Sequence, residues 1–176
     1  MKHCIFSLGF LLFLAVSLCA QASPVPLGFQ DIVLGMDMDS VKKQLVTNPN
    51  FVYRGDPDVS MLSRPSETLI ECRGAAFIDR AFFQFFEARL FTIILVLDPR
   101  QIDHFSVYTR LTEKYGPPSS LSPEESVWES ETVRFSLERP LSVKYVDKPV
   151  LDKIRVETEA KKPFSIQFQR EFLDQF

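Results

Sequence analysis

Residues 77–97, FIDRAFFQFFEARLFTIILVL, decide the fold of this chain. Residues 77–86 are rich in aromatic side chains, residues 90–97 are almost wholly apolar, and the polar trio 87–89 lies between them. Two such runs joined by a short polar turn predict a β-hairpin. Because the second run shows almost no polar alternation, we expect its strand to be covered on both faces of the sheet.

A helix is predicted directly after this hairpin. Asp98 and Pro99 are typical of a helix start, and apolar residues then recur three or four positions apart, which places them along one stripe. Gly116 predicts a left-handed cap at the helix end, since Pro117 and Pro118 cannot continue the helix. The predicted stripe consists of Ile102, Phe105, Tyr108, Leu111 and Tyr115.

The segment before the hairpin also begins with a predicted helix. Residues 37–46 carry apolar side chains at helical spacing, and Asp37 is expected to cap the N-terminus of this helix. Residues 51–53 and 69–73 are predicted strands. The proline- and glycine-containing residues 54–66 between them are predicted to form a loop.

Residues 126–147 predict a meander of three strands. Residues 133–138 alternate between apolar and polar, as in a strand with one buried face. Helix followed by strands therefore occurs twice, in residues 31–98 and 99–147. The sequence predicts an α+β fold with an antiparallel sheet and helices packed on one face, and the recurring order favours two degenerate repeats.

The N-terminus has the three parts of a secretory signal peptide: a positive start, an apolar run over residues 5–18, and small residues before the expected cut. This predicts cleavage near Ala22 and a periplasmic or secreted location. Lipid anchoring at Cys19 is the alternative, although Leu18 stands where a lipidation signal needs a small residue. Membrane contact is expected only through a lipidated Cys19 or an uncleaved signal. The predicted organisation is a signal at 1–22, one domain at 23–160 and a Phe-rich C-terminal segment at 161–176 packed on the domain.

Composition excludes several classes of protein. The chain has 176 residues, of which 45% are hydrophobic, and a formal net charge of -3. It is too apolar for a disordered tail and too acidic for a protein that tracks the backbone of a nucleic acid. Cys4 and Cys19 leave with the predicted signal, so Cys72 has no partner for an internal disulfide and the core must stabilise the fold.

The C-terminal segment supports two interpretations. Four phenylalanines recur at intervals of four residues, as along one side of a helix. Residues 164–168 also alternate between apolar and polar, as in a strand. We expect this segment to pack on the body of the protein, and the alternative is that it docks on a partner or on a membrane surface. The four residues are Phe164, Phe168, Phe172 and Phe176.

The sequence carries no motif for catalysis, metal binding or cofactor binding. It has no phosphate-binding glycine loop, no Gly-x-Ser-x-Gly motif, and one histidine beyond the predicted signal, His104. A nucleophile and base formed by Cys72 and His104 would make a hydrolase, but no characteristic spacing supports the pair. Cys72 shares a strand face with Ile70 and is expected to be buried, and His104 is expected to be a solvated surface residue. We therefore predict no enzymatic activity, no cofactor and no metal.

Three phrases of the sequence occur together in one family layout. They are LGMDMDSVKKQL at 34–45, FQFFEARLFTIILVLD at 83–98, and LTEKYGPP at 111–118 followed by Val127, Trp128 and alternating strands. Residues 31–147 thereby resemble the beta-lactamase-inhibitor-protein-like and outer-membrane-assembly-lipoprotein-like domains, which are small exported bacterial α+β modules. The resemblance implies non-enzymatic protein binding and no catalytic residue.

The leading hypothesis is an exported, non-enzymatic binding protein of the bacterial cell envelope whose partner is another envelope protein. The polar side of the 126–147 meander is the first candidate surface, because an exposed Trp is a favoured anchor. The alternative is a carrier or chaperone for an apolar, lipid-like ligand held by the aromatic residues 82–91, and the second alternative is a hydrolase that uses Cys72. The candidate partner-binding residues are Trp128, Arg134, Phe172 and Phe176.

Overall fold

The computed structural model of the protein describes residues 24–62 and 66–173, and within residues 160–172 it describes the backbone alone. The helices of this part are α1 (Met38–Thr47), α2 (His104–Tyr115) and α3 (Lys148–Leu173), with a 3-10 turn at Asp56–Asp58. The strands are β1 (Gly28–Phe29), β2 (Ile32–Val33), β3 (Phe51–Val52), β4 (Val59–Met61), β5 (Glu67–Gly74), β6 (Ile78–Phe86), β7 (Arg89–Leu97), β8 (Ser120–Leu121), β9 (Glu125–Glu129), β10 (Val133–Glu138) and β11 (Ser142–Asp147).

One large sheet organises the described residues, and all of its strand pairs are antiparallel, which confirms the predicted α+β class. Its order is β3-β5-β6-β7-β11-β10-β9-β8, with β4 also paired to β5. β1 and β2 pair only with each other. β8 therefore forms one edge of the sheet, and the short strands β3 and β4 form the other.

The two halves of the chain meet in the middle of this sheet. β7 is the last strand of the first half and β11 is the last strand of the second, and they pair with Leu95 opposite Val143. Each half thus supplies a helix and then strands, in the order that the sequence favours. The strand order is mirrored about the β7–β11 pair.

The central hairpin lies where residues 77–97 predict it. Glu87 and Ala88 form its turn with φ angles of 50° and 60°. A two-residue turn with positive φ at both positions matches the right-handed twist of the strands it joins. Residues 90–93 are buried one after another, so β7 is covered on both faces over this part, as predicted.

Both α1 and α2 bury their apolar sides on the same face of the sheet, in one continuous core. In the second half this core centres on Phe135, which is fully buried. Its ring centroid lies 4.8 Å from that of Tyr145 and 5.6 Å from those of Trp128 and Tyr115. Aromatic rings at these separations stabilise the core beyond the area that they bury.

The predicted caps of the first two helices are present. Asp37 accepts a hydrogen bond from the backbone N–H of Ser40 at 2.9 Å and so begins α1. Gly116 has a φ of 81° at the end of α2, a conformation that glycine adopts without strain. The helix boundaries set by these two residues are confirmed.

The start of α2 is not where the sequence predicts it. The helix begins at His104 rather than directly after Pro99, because Asp103 is the cap and accepts the N–H of Ser106 at 2.9 Å. Phe105 then falls in the first turn and is 73% exposed. The prediction that Phe105 belongs to the buried stripe is therefore wrong.

The predicted loop at residues 54–66 contains regular structure. Asp56–Asp58 form a 3-10 turn, and Val59–Met61 form β4 against β5. The side chain of Asp58 accepts from the backbone N–H of Arg54 at 2.8 Å and from its guanidinium, which closes the turn. The loop prediction is wrong for this stretch. Side-chain hydrogen bonds stabilise the 3-10 turn, and such bonds leave no hydrophobic periodicity in the sequence.

The C-terminal segment is helical as far as the structure describes it. α3 begins after Asp147, whose carboxylate accepts the N–H of Val150 at 3.0 Å, and continues to Leu173. The predicted boundary at residue 160 falls within this helix. Its first turns pack on the sheet face opposite α1 and α2, where Ile154 contacts Phe86 and Phe91. The prediction that the helices pack on one face therefore holds for α1 and α2 and is wrong for α3.

Several predictions fall on residues that are not described. They are the signal peptide at 1–22 with lipidation at Cys19, the side chains of Phe164, Phe168 and Phe172, and the whole of Phe176. These stay predictions. In the described part of the chain, no helix has the length and apolar character needed to cross a membrane.

Candidate binding site

The polar face of the meander is organised around Arg134. Its guanidinium donates to both carboxylate oxygens of Glu125 at 2.6 Å. It also lies 3.5 Å from a carboxylate oxygen of Glu129 and 3.8 Å from one of Glu138. The ammonium group of Lys144 is 3.6 Å from Glu138. Arg134 thus connects side chains of neighbouring strands, and its role in partner binding stays a prediction.

Trp128 does not share this face. It lies opposite Phe135 in the β9–β10 ladder and is 2% exposed. Its indole Nε1 donates to the carbonyl oxygen of Gly116 at 2.8 Å, at the end of α2. The prediction that Trp128 lies on the solvent-facing side of the meander is therefore wrong, because the register of β9 directs its side chain into the core.

A cavity of about 560 Å³ lies at the β8 edge of the sheet, and we call it the edge cavity. The first turn of α2, the segment that follows β8, and the β10–β11 turn meet around it. Glu125, which Arg134 binds on the polar face of the meander, also lines this cavity, so the cavity adjoins the surface on which the sequence placed the candidate site. The main lining residues are Asp103, His104, Phe105, Tyr108, Leu121 and Arg139.

Two highly exposed apolar side chains line the edge cavity. Phe105 is 73% exposed and Leu121 is 67% exposed. Exposed apolar groups that gather at a concave site are typical of interaction surfaces, whereas single ones elsewhere are ordinary. Val46 on α1 is equally exposed and does not line this cavity, so it serves as an internal comparison.

Arg139 supplies a positive charge at the edge cavity. Its Nε donates to the backbone oxygen of Pro123 at 3.0 Å, and among the described residues no carboxylate forms an ion pair with it. The carboxylate of Asp103 is occupied by the N–H and the hydroxyl of Ser106, at 2.9 Å and 2.6 Å. The carboxylate of Glu125 is occupied by Arg134. The terminal nitrogens of Arg139 are therefore left for an anion.

His104 is half-buried and its Nε2 has no hydrogen-bond partner within the described part of the chain. Burial lowers the pKa of His104 and the positive charge of Arg139 lowers it further, against a smaller opposing effect of Asp103. The imidazole is therefore neutral at pH 7. His104 is therefore less solvated than predicted, since the residue is half-buried and its Nε2 is shielded from solvent.

Cys72 is buried on β5, as predicted. Burial raises the pKa of its thiol to about 12, with smaller contributions from the negative charges of Asp58 and Glu71. A thiol that stays protonated at neutral pH is a poor nucleophile. Cys72 lines a separate cavity beside Arg54 and Arg80, away from the one that His104 lines. In the described residues, no three His, Cys, Asp or Glu side chains are grouped for a metal ion.

The aromatic residues of the hairpin are mostly covered. Phe83 and Phe85 are fully buried in the core, and Phe86 and Phe91 lie beneath α3. Between α3 and the sheet there remains a groove of about 400 Å³. Its apolar lining consists of Phe91, Ile94, Val146 and Leu151.

The fold and the edge cavity define a small α+β protein with a site at one sheet edge whose lining is apolar and carries both signs of charge. Residues 27–157 match the family model described as the TP0088 domain, and the chain belongs to this family. No curated protein and no solved structure matches the chain. All residues that line the edge cavity lie inside the matched range. The resemblance to beta-lactamase-inhibitor-protein-like and outer-membrane-assembly-lipoprotein-like domains stays a prediction.

Sequence reasoning missed the three residues that give this site its character. The apolar spacing of residues 102–115 places Phe105 in the core, and Arg139 lies in a turn that hydrophobic periodicity does not describe. Leu121 offered a signal, since it is an apolar residue within a proline- and serine-rich segment.

Proposed function

We propose that this chain is an exported, non-enzymatic binding protein of the bacterial cell envelope, and that another envelope protein binds at its edge cavity. The observation that carries the proposal is the exposure of Phe105 and Leu121 at one concave site. Full burial of a side chain of this size contributes about 1.5–3 kcal/mol. A partner that covers both therefore gains stabilisation that the free protein lacks.

The surroundings of the cavity also suit protein binding. Arg139 is exposed at its rim, and arginine next to aromatic and aliphatic anchors is common among residues that dominate interfaces. The protonated state of the Cys72 thiol supports a non-enzymatic role over the cysteine hydrolase.

Site-specific photo-cross-linking tests the proposal. Cells produce the full chain with benzoylphenylalanine at position 105. After illumination, the proteins cross-linked to it are identified by mass spectrometry. The same group at position 46 is the matched control, because Val46 is equally exposed outside the cavity. We expect a discrete envelope protein to be captured at 105 and not at 46. Identical captures at both positions, or none at 105, would contradict the proposal.

A second variant separates a specific contact from random proximity. Leu121→Ser removes the other apolar anchor and leaves the backbone of β8 in place. We expect the cross-link at position 105 to fall severalfold, while Val46→Ser leaves it unchanged. Thermal unfolding of both variants checks that the fold is retained.

A carrier for an apolar, lipid-like ligand is the second candidate, and the groove under α3 favours it. Its apolar floor is bordered by three cations, Arg134, Lys144 and Arg155. Each of them already forms an ion pair with a carboxylate, so the acidic end of an amphiphile would share these cations with the protein's own carboxylates. Native mass spectrometry of the protein purified without detergent tests this role. A retained lipid that is lost in Leu151→Glu supports it, and a protein of bare mass rejects it.

A further inference from the structure

We propose that the bound partner contributes an extended segment that adds a strand to β8, with an apolar side chain in the edge cavity and a carboxylate on Arg139. This inference rests on the proposed function and specifies the chemistry of the partner. Three independent features of the cavity support it: a free sheet edge, an apolar lining and an unpaired cation.

The first feature is the sheet edge. β8 pairs with β9 on one side and ends the described sheet on the other. Ser120 and Leu121 are both exposed, so an incoming strand reaches their backbone without displacing a side chain from the core. Peptides that bind in this way gain affinity from main-chain hydrogen bonds and specificity from pockets for alternate side chains.

The second feature is the apolar lining, which matters because β8 has only two residues and a partner strand forms few backbone hydrogen bonds there. Side-chain anchors must then supply much of the affinity. The edge cavity lies beside this strand, since Leu121 belongs to both. Phe105 and Tyr108 provide an apolar wall for one side chain of the added strand.

The third feature is charge. The Nε of Arg139 is fixed by the carbonyl oxygen of Pro123, which orients the guanidinium, and no carboxylate of the described residues forms an ion pair with its terminal nitrogens. Guanidinium groups in this state bind carboxylates through two parallel hydrogen bonds. Arg139 and His104 line the same cavity, so the positive charge of Arg139 acts there. An acidic residue near the apolar anchor therefore complements this end of the cavity.

Selection from a displayed library of random nonapeptides tests the inference on the folded protein. We expect enriched peptides to carry an aromatic or aliphatic residue within two positions of Asp or Glu. Fluorescence anisotropy then measures binding of the enriched peptides to two variants, Arg139→Gln and, as matched control, Arg110→Gln on the exposed side of α2. Arg139→Gln should weaken binding about tenfold or more, and Arg110→Gln should not change it.

Backbone pairing has its own readout. N-methylation of alternate amides on one edge of the enriched peptide should weaken binding, and methylation on the other edge should be tolerated, because one edge of an added strand faces β8. Binding that needs neither the amides nor Arg139 overturns this inference, as does a library without binders. If cross-linking at position 105 still captures a partner, the proposed function survives that failure. If position 105 captures nothing, both fall.

Discussion

The indole Nε1 of Trp128 donates a 2.8 Å hydrogen bond to the carbonyl oxygen of Gly116, and this contact fastens strand β9 to the end of helix α2. Gly116 itself closes the helix through its N–H, which donates to the oxygen of Thr112 at 2.9 Å. The bond therefore fixes how α2 lies on the second half of the sheet. It also fixes the wall of the edge cavity, because Tyr108 of α2 packs near the same indole.

Trp128→Phe should destabilise the protein by about 1–3 kcal/mol. The change removes the hydrogen bond to Gly116 and leaves unfilled space beside Phe135. Urea unfolding followed by circular dichroism measures the loss. Phe77→Leu is the control, since Phe77 is more than half exposed and its replacement should alter stability by less than about 0.5 kcal/mol. Equal effects of both changes would show that the hydrogen bond is dispensable.

Arg134→Leu should cost about 1–3 kcal/mol of unfolding free energy. Three glutamates around it lose their shared positive charge and repel one another. Arg110→Leu breaks an exposed pair with Glu113 on α2 and should cost less than about 1 kcal/mol. In 1 M NaCl the two variants should differ less in their loss of unfolding free energy, since salt screens the repulsion among the glutamates. A difference that is absent at low salt would contradict this account.

Alkylation of Cys72 should be strongly suppressed in the folded protein. Its thiol pKa of about 12 leaves very little thiolate at pH 8.5, where an unfolded cysteine is about half ionised. Iodoacetamide should therefore modify Cys72 about a thousandfold more slowly in the folded protein than in the unfolded protein. Timed quenching and mass spectrometry of the Cys72 peptide give both rates. Rapid labelling of the folded chain would refute the burial of this thiol.

His104 should make the protein less stable as pH falls from 7.5 towards 5. Its pKa is lower in the folded state than in the unfolded state, so the unfolded chain binds the proton first and gains stability once pH drops below about 6.5. The aspartates with lowered pKa, such as Asp58, change the stability of the protein only at more acidic pH, near and below 3.8. Urea midpoints of the wild type and His104→Gln across this range measure the effect. The fall of the urea midpoint with decreasing pH should disappear in His104→Gln. If it persists in the variant, a group other than His104 causes the loss of stability.

Local chemistry predicted much of the fold. Residues 77–97 combine two long apolar runs with a short polar turn, and this pattern indicates a β-hairpin. Asp37 and Gly116 mark helix boundaries for known reasons. The carboxylate of Asp37 accepts a free backbone N–H at the helix start, and Gly116 adopts a positive φ at the helix end because it has no side chain. The meander follows from strict alternation over residues 133–138.

Other elements follow from contacts between residues distant in sequence. β4 is a three-residue edge strand whose partner β5 supplies the pairing, and α3 begins with residues that show no clear apolar stripe. The start of α2 depended on a choice between Asp98 and Asp103, and both are chemically able to cap a helix. Only the packed structure decides between such alternatives.

The candidate site was less predictable than the fold. Trp128 was expected at the surface because it stands among glutamates in the sequence. In a strand, however, neighbours in sequence point to opposite faces, and the pairing of Trp128 with Phe135 decided its side. Phe105 and Leu121 are far apart in the chain, and the edge cavity exists only once β8 lies beside α2.

The pairing of β7 with β11 has a consequence for how the molecule comes into being. Residues 92–96 find their partners only at residues 142–146, so the first half has a bare rim along its most apolar strand until nearly the whole polypeptide is available. A fragment that stopped at residue 98 would keep that unpaired edge, and an exposed apolar strand edge is prone to association with other strands.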